Sequence, residues 1–280
     1  MAALLPGNRL HLQHGPMDLI IGAEGARAAA FEAARARFET VLDELVGELE
    51  LLRTQMLPGT PIPKGAIALR MHTACRPHRQ TFLTPMAAVA GSVADTVLDY
   101  IINAAPLHRA YVNNGGDIAV YMEKNQGFTT AIQNHAGKEL GRITLNSEDY
   151  IGGIATSGRH GRSHSLGIAD SVTVLAETAA QADVAATLIA NAVDLPGHSA
   201  ITRTPANALA PESDLGEARV VTHVAPLTPE ETNRALQSGL VCANTLRASG
   251  HIKAAALFLC DEVRVFGHGF TTTKRALERT

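Results

Sequence analysis

Residues 112–118 of this 280-residue chain read Val112-Asn113-Asn114-Gly115-Gly116-Asp117-Ile118. Apolar residues flank the polar centre, at Ala110–Val112 and Ile118–Met122. Because Asn and Gly tolerate positive φ, the stretch predicts a tight turn between two strands. The two glycines lack Cβ atoms and let backbone N–H groups approach a ligand closely, with the Asp117 carboxylate at the start of the second strand. An ordinary hairpin turn is the competing interpretation.

Two helices rich in small residues are predicted on either side of this turn. Apolar residues repeat at helical spacing from Pro85 to Ala104, with Pro85 suited to a first turn, and again over Thr178–Val193. An alternating strand, Ser171–Leu175, precedes the second helix. The similarity of the two Ala-rich segments suggests an internal duplication.

The remaining chain predicts strands that cluster between helices. The predicted strands are Met17–Ile21, Ala66–His72, Phe128–Gln133, Arg142–Leu145 and Arg219–Val224, the helices are Ala30–Leu52 and Pro229–Ala248, the final hairpin is Ala254–Gly267, the loops are His72–Gln80 and Asp194–Gly216, and a frayed tail begins at Thr271. Without regular βαβ alternation, the fold class is α+β. We expect one domain over residues 1–280, with a motif-bearing core at about 80–195 and the strand, helix and hairpin of 219–267 packed on it.

Composition predicts a soluble protein that does not bind extended polyanions such as nucleic acid. Hydrophobic residues make up 46% of the chain and charged residues 18%, which is enough apolar surface for a core. The net charge is −3, with no block of five like charges, so neither nucleic acid nor an anionic membrane is an expected partner.

The cysteines and the N-terminus favour a cytoplasmic location. Cys75, Cys242 and Cys260 are odd in number and widely spaced, which favours reduced thiols. Met1–His14 lacks the features of a secretory signal, and the apolar stretch Ala87–Pro106 contains two aspartates, which disfavours a membrane span.

A second polar motif, Ala155-Thr156-Ser157-Gly158, opens a segment with many polar and cationic residues that runs to Ser165. Its hydroxyls and backbone amides, together with Arg159, Arg162, His160 and His164, suit a polyanionic ligand. A solvated surface loop is the competing interpretation. Gly161 argues against a helix that would present both histidines to one metal.

A third motif is the pair Asp183 and Thr187, one helical turn apart on the second Ala-rich helix. A carboxylate and a hydroxyl are oxygen ligands of the kind that Mg²⁺ prefers, with waters or phosphates in its other positions. Such a pair usually lies on the solvent-exposed face of a helix. Here the surrounding residues are apolar almost all round the helix, which favours burial and the metal-binding interpretation.

In this order, the motifs resemble those of the ApbE family, the magnesium-dependent FAD:protein FMN transferases. The family pattern is N-x-G-G-D/E, then A-T-S-G, then a strand of S-V-T-V type leading into a helix with A-D-x-x-x-T. The helix Pro85–Asp99 is similar to the family's G-I-A-K-G-x-x-x-D helix, with Ala90-Gly91 at the K-G position and Asp95 at the closing Asp. The resemblance covers about residues 80–195.

The resemblance implies a site and a reaction. Mg²⁺ would be held by Asp183, Thr187 and a backbone carbonyl near Val89. FAD would lie against the turn Asn113–Asp117 and the segment Thr156, Ser157 and Gly158. His164 matches a family His and is the implied catalytic residue. In the family reaction, a Ser or Thr hydroxyl of an acceptor flavoprotein attacks the FMN phosphorus and AMP departs, and water would give hydrolysis by the same chemistry.

The chain departs from the family pattern at two places. Ala90 stands at the position of the family's Lys, and the D-P-x-T-G run is absent after His164. The pattern Pro85–Gly91 and the loop Asp214-Leu215-Gly216 are more similar to a cytosolic branch of the superfamily. The two departures leave three functions open: pyrophosphate cleavage with FMN transfer, a non-catalytic flavin- or nucleotide-binding accessory protein, and the same cavity used for another small molecule. The apolar stripe of the N-terminal helix serves either the core or a homo-oligomer.

Overall fold

The computed structural model of the chain describes residues 1–273. The protein has an α+β fold that contains both helices and strands. The helices are α1 Arg27–Val46, α2 Leu49–Leu52, α3 Ala66–Cys75, α4 Val89–Ala104, α5 Ala179–Ala192, α6 Ala206–Leu209 and α7 Pro229–Ala248. The strands are β1 Ala2–Leu5, β2 Arg9–His14, β3 Met17–Gly25, β4 Leu107–Asn114, β5 Asp117–Met122, β6 Gly127–Gln133, β7 Glu139–Asn146, β8 Gly153–Ser157, β9 Ser171–Ala176, β10 Ile201–Pro205, β11 Arg219–Val224, β12 Ala254–Leu259, β13 Glu262–Phe266 and β14 Phe270–Thr272.

The chain divides into two compact units, each assembled from separate segments. The first unit comprises Met1–Phe128, Asn146–Ala155 and Ala176–Val184. The second comprises Thr129–Leu145, Thr156–Leu175 and Ala185–Thr280. The single domain expected over residues 1–280 stays a prediction.

The first unit contains an antiparallel sheet in which β1 to β5 follow one another. In the pairing of β4 with β5, Asn114 lies opposite Asp117, which leaves Gly115 and Gly116 as a two-residue turn. Both glycines have positive φ, 68° and 116°. The turn predicted from the sequence is confirmed. Helix α4 packs on β4, β5 and α1.

Helix α4 is a core element of this unit. A 3₁₀ turn over Pro85–Ala88 leads into it, so the predicted helix from Pro85 to Ala104 is confirmed. Within residues 1–273, Pro85–Ala104 is the one helical segment long and apolar enough to cross a membrane, with a mean hydropathy of 1.3. Of that window, 61% is buried inside the protein, as expected of a core helix.

Three predictions in the first unit are wrong in detail. Ala66–His72 is helical rather than a strand, and α3 continues into the expected loop as far as Cys75. The long helix predicted over Ala30–Leu52 ends at Val46, and a short helix follows Gly47. The hairpin of β1 with β2, which precedes the predicted strand at Met17, was not predicted.

The second unit has strand pairings of its own. Strand β12 pairs with β9 and with β13, and α7 packs on β12 and β13. Strands β10 and β11 form a separate hairpin, and β7 lies between β14 and β6.

Several predictions for the second unit are confirmed, and two need correction. The strands at Ser171 and Arg219, the helix Pro229–Ala248 and the final hairpin are all present. The predicted loop Asp194–Gly216 contains β10 and α6. The frayed tail expected from Thr271 is wrong for the residues of β14, and its remainder beyond residue 273 lies outside the described residues.

Candidate functional site

The carboxylate of Asp183 lies against the first turn of helix α4. Its Oδ2 accepts the backbone N–H of Gly91 at 3.0 Å, and the carboxylate also accepts the N–H of Ala90. The first amides of a helix lack partners within the helix and form its positive end. Asp183, from helix α5, therefore caps helix α4.

The carboxylate of Asp95 makes the reciprocal contact. It accepts the N–H of Ala179 at 3.0 Å and the N–H of Ala180 at 2.9 Å, which are the first amides of α5. The Asp95 side chain is only 6% exposed. Each helix thus supplies the carboxylate that caps the other.

Gly91 allows the two helices to approach closely. A Cβ atom added to Gly91 would lie 2.3 Å from the carbonyl oxygen of Ala179 and 2.7 Å from the nitrogen of Ala180. Real Cβ atoms do not approach backbone atoms so closely, so only glycine fits this crossing.

The double-glycine turn contacts the same turn of α4. The Nδ2 of Asn114 donates to the carbonyl oxygen of Ala90 at 3.2 Å, and the Oδ1 of Asn113 accepts the N–H of Gly116 at 2.9 Å. Asn114 and Asp183 therefore bind consecutive residues, Ala90 and Gly91. This contact places the turn beside Asp183 within the first unit.

Burial disfavours the charged form of both Asp183 and Asp95. Burial raises the pKa of Asp183 well above its usual value, the charge of Asp117 raises it further, and the amides of Gly91 and Ala90 oppose the rise. Burial also raises the pKa of Asp95 to about 6, against the amides of Ala180 and Ala179 and the charge of Arg70. A bound proton or a cation would relieve this cost.

The donors predicted from the sequence are oxygen ligands of the kind that Mg²⁺ prefers. Asp183 has lone pairs beyond those that accept two amides, and Mg²⁺ commonly takes one or two carboxylates together with waters and phosphates. Thr187 follows Asp183 by four residues on α5, and Val89 is the first residue of α4. Across the described chain, no three His, Cys, Asp or Glu side chains form a group that could hold a metal by themselves.

The residues predicted from the A-T-S-G motif are described within the second unit. The Oγ1 of Thr156 lies 3.0 Å from the Oγ1 of Thr173, and Ser157 is half-buried. Gly158 has φ 152°, and a Cβ there would lie 2.6 Å from the carbonyl oxygen of Asp170. His164 is exposed. Val89, the turn Asn113–Asp117 and Asp183 thus lie in the first unit. Thr156, Ser157, Gly158, His164 and Thr187 lie in the second unit, and their part in one site stays a prediction.

The capping by Asp95 and the close helix contact at Gly91 were not predicted from the sequence. A signal for them was present. A small residue precedes an aspartate by four positions on both helices, as Gly91 before Asp95 and Ala179 before Asp183. Small residues permit close helix approach, and a carboxylate one turn away can reach the amides of the partner.

Comparison with known proteins gives a family. A family model described as "AbpE bacteria" matches residues 2–265. A UPF0280 protein of Methanobrevibacter smithii is 39% identical over 108 residues, which are 38% of this chain and 45% of that protein. A UPF0280 protein of Archaeoglobus fulgidus is 31% identical over 157 residues, 56% of this chain and 63% of that protein. The matches therefore span about half the length of these curated relatives.

Solved structures give weaker similarities. The flavin transferase ApbE from Vibrio cholerae aligns over 95% of this chain and 97% of its own, at 12% identity and a TM-score of 0.41. The flavinyl transferase ApbE of Pseudomonas stutzeri covers 68% of this chain and 47% of its own, at 17% identity and a TM-score of 0.36. At these values the structural similarities carry no argument about function.

Proposed function

Because the chain belongs to the family described as AbpE bacteria, we propose that it binds FAD with Mg²⁺ and cleaves the FAD pyrophosphate, transferring FMN to a Ser or Thr of an acceptor flavoprotein or to water. The observation that supports this most is the contact of Asn114 and Asp183 with the adjacent residues Ala90 and Gly91. It brings a ligand-binding turn and a buried carboxylate to one helix terminus. We place the reaction in the cytoplasm.

The turn is suited to a planar or phosphate-bearing ligand. A Cβ at Gly116 would meet no atom within 4 Å, so open space borders the turn. The N–H of Gly116 already donates to the Oδ1 of Asn113, so a ligand would contact the open side of the turn rather than that amide. In the proposal the turn Asn113–Asp117 binds one part of FAD, and Thr156, Ser157 and Gly158 bind another through hydroxyls and amides.

In the proposed reaction, Asp183, the Thr187 hydroxyl and the Val89 carbonyl hold Mg²⁺, which supplies positive charge to the pyrophosphate. A bond forms between the acceptor oxygen and the FMN phosphorus while the bond from that phosphorus to the AMP oxygen breaks, and AMP leaves. His164 is the proposed base that takes the hydroxyl proton, since imidazole is the side chain most often used for this purpose.

A non-catalytic flavin-binding protein is the second candidate. The amides of Gly91 and Ala90 already bind Asp183, so this carboxylate has a structural role that needs no metal. Ala90 also lacks the cation that the family pattern places there. In this alternative the proposed site holds flavin, or another small molecule, without turning it over.

The test is incubation of the purified protein with FAD and Mg²⁺, with AMP and FMN separated by chromatography. We expect both products, and we expect Asp183→Asn to lower their rate about a hundredfold or more, since loss of a metal ligand removes several kcal/mol of charge stabilisation. Asp43→Asn, an exposed carboxylate on α1, is the matched control and should keep the full rate.

The outcomes separate the two candidates. Thermal melting of Asp183→Asn must show that the variant is folded. Tight flavin binding without AMP release by the unaltered protein would favour the accessory protein. If the protein neither binds flavin nor releases AMP, flavin is not its ligand.

A further inference from the structure

The second unit contains a cavity of about 360 Å³ that the proposed flavin reaction does not use. Its volume lies within the range of small-molecule pockets. Four segments of the described chain line it: the turn between β6 and β7, the loop after Gly158, the turn between β12 and β13, and Thr273 after β14. All four belong to the second unit.

One wall of this cavity is apolar. Leu140, Phe258 and Val263 line it, and Phe258 lies directly opposite Val263 in the pairing of β12 with β13. Phe258 and Val263 are buried, with 7% and 4% of their surface exposed. Such a surface suits the organic part of a ligand, because burying apolar surface is favourable.

The lining also includes a cationic side chain on a fixed turn. Lys138 is exposed at the β6–β7 turn. That turn is held by Asn134, whose Oδ1 accepts the N–H of Ala136 at 3.0 Å and the N–H of Lys138 at 2.9 Å. The ammonium therefore projects from a turn whose backbone is already ordered.

Asp170 positions the second cation without leaving the cavity strongly acidic. Its Oδ1 accepts the Nε of Arg159 at 2.9 Å and lies 3.3 Å from the Nε2 of His160, and its Oδ2 accepts the N–H of Cys260 at 2.6 Å. Glu262 is paired with Arg264 at 3.2 Å, and Asp261 is the other acid of the lining. With both histidines neutral, the lining has two cations, Lys138 and Arg159, and three carboxylates, so the positive charge that an anion needs must come from the histidines.

The imidazole rings of His135 and His160 stack, with centroids 4.1 Å apart and planes at 24°. Burial lowers the pKa of His160, the charges of Arg159 and His135 lower it further, and Asp170 opposes this. The His160 imidazole, stacked on a second ring and next to an arginine, resists protonation unless an anion compensates its charge. A bound dianion would supply that compensation.

We propose that this cavity binds a small phosphorylated molecule, its phosphate held by Lys138, Arg159 and the His135–His160 pair and its organic part placed on the apolar wall. Phosphate offers three acceptor oxygens to several charged donors at once. None of these four residues belongs to the set proposed to hold flavin or Mg²⁺, although Arg159 and His160 directly follow Gly158 of that set in the sequence, and phosphate binding here does not require the flavin reaction.

The test is calorimetric titration of the flavin-free protein with inorganic phosphate, phenyl phosphate and phenol. We expect phenyl phosphate to bind more tightly than inorganic phosphate, and phenol to give no binding. Lys138→Ala and His135→Ala should each weaken phenyl phosphate binding about tenfold, as expected when a charged hydrogen bond is lost. Lys253→Ala is the matched control, because Lys253 is exposed in the same unit and does not line the cavity.

Two further measurements complete the test. Saturating phenyl phosphate should raise the pKa of His160, followed by NMR, because an anion favours the charged imidazole. Asp183→Asn should bind phenyl phosphate normally, so failure of the flavin reaction leaves this site intact. The proposal is overturned if phenyl phosphate does not bind, if Lys138→Ala and His135→Ala bind it unchanged, or if FAD displaces it competitively.

Discussion

At the scale of single residues, Gly91 is the position with the least freedom in the candidate site. Its missing side chain leaves room for the backbone of Ala179 and Ala180, and its N–H binds Asp183. We expect Gly91→Ala to lower the free energy of unfolding by about 2–3 kcal/mol, because the new methyl group must displace backbone rather than a flexible side chain. Denaturant unfolding measures this difference.

Gly47→Ala is the control for the intrinsic preference of alanine over glycine in helices. Gly47 ends α1 with φ −60°, and a Cβ there would meet its nearest atom at an ordinary 3.4 Å. The same substitution should be neutral there or stabilise by about 0.5–1 kcal/mol. Equal effects at both glycines would show that the helix crossing tolerates a methyl group.

These glycines also show when the role of a glycine can be predicted from the sequence. Gly115 and Gly116 were predicted as turn residues because the requirement for positive φ comes from the adjacent strands. The requirement at Gly91 comes from Ala179, which is distant in sequence, so the local pattern indicated only a close helix packing. Asp183 was predicted as a site residue, but its amide partners could not be read from its own helix.

At the scale of elements, the mutual capping of α4 and α5 makes stability depend on pH through Asp95. Burial raises the pKa of Asp95 from 3.8 to about 6 in the folded protein. The folded state therefore binds this proton more tightly than the unfolded state. Its contribution to stability is full below about pH 4 and is lost as pH rises through 6, with a total of roughly 3 kcal/mol.

We expect Asp95→Asn to remove this part of the pH dependence, because the amide does not titrate. The measurement is the free energy of unfolding between pH 4 and 6.5 for the variant and the unaltered protein. Asp43→Asn, an exposed carboxylate on α1, should leave the profile unchanged. If Asp95→Asn shows the same profile as the unaltered protein, Asp95 does not carry this proton.

Helix α3 shows why one element was predicted wrongly. Its segment is short and apolar, and periodicity alone does not separate strand from helix at this length. The N-terminal amides find remote acceptors: Glu48 accepts the N–H groups of Lys64 and Gly65 at 2.8 and 2.6 Å, and Glu44 accepts that of Ile67 at 2.8 Å. These tertiary contacts satisfy a helix terminus that has no capping side chain of its own. The helices α4, α5 and α7 were predicted well because long periodic segments carry their own signal.

At the scale of the whole molecule, the backbone passes between the two units five times, at residues 128/129, 145/146, 155/156, 175/176 and 184/185. Neither unit is one continuous segment of the sequence. Strand β8 and helix α5 each contain a point of passage. Unfolding one unit would therefore disrupt hydrogen-bonded elements that continue into the other.

This connectivity predicts that the chain unfolds in a single transition. Each unit has its own probe of unfolding. Because the chain contains no tryptophan, its fluorescence comes from the four tyrosines, and all of them lie in the first unit: Tyr100, Tyr111, Tyr121 and Tyr150. Cys242, half-buried on α7, lies in the second unit. In denaturant, tyrosine fluorescence and the labelling of Cys242, read by mass spectrometry, should give the same midpoint, which is the standard test of two-state behaviour.

Gly91→Ala makes this test sharper, because the substitution lies entirely within the first unit. If the units unfold together, the change should shift the midpoint of Cys242 labelling as much as that of tyrosine fluorescence. If the units are independent, the tyrosine midpoint moves while labelling of Cys242 stays where it was. That second result would overturn the expectation of one domain over residues 1–280, and it would leave the candidate site on a unit that folds without the phosphate-binding cavity.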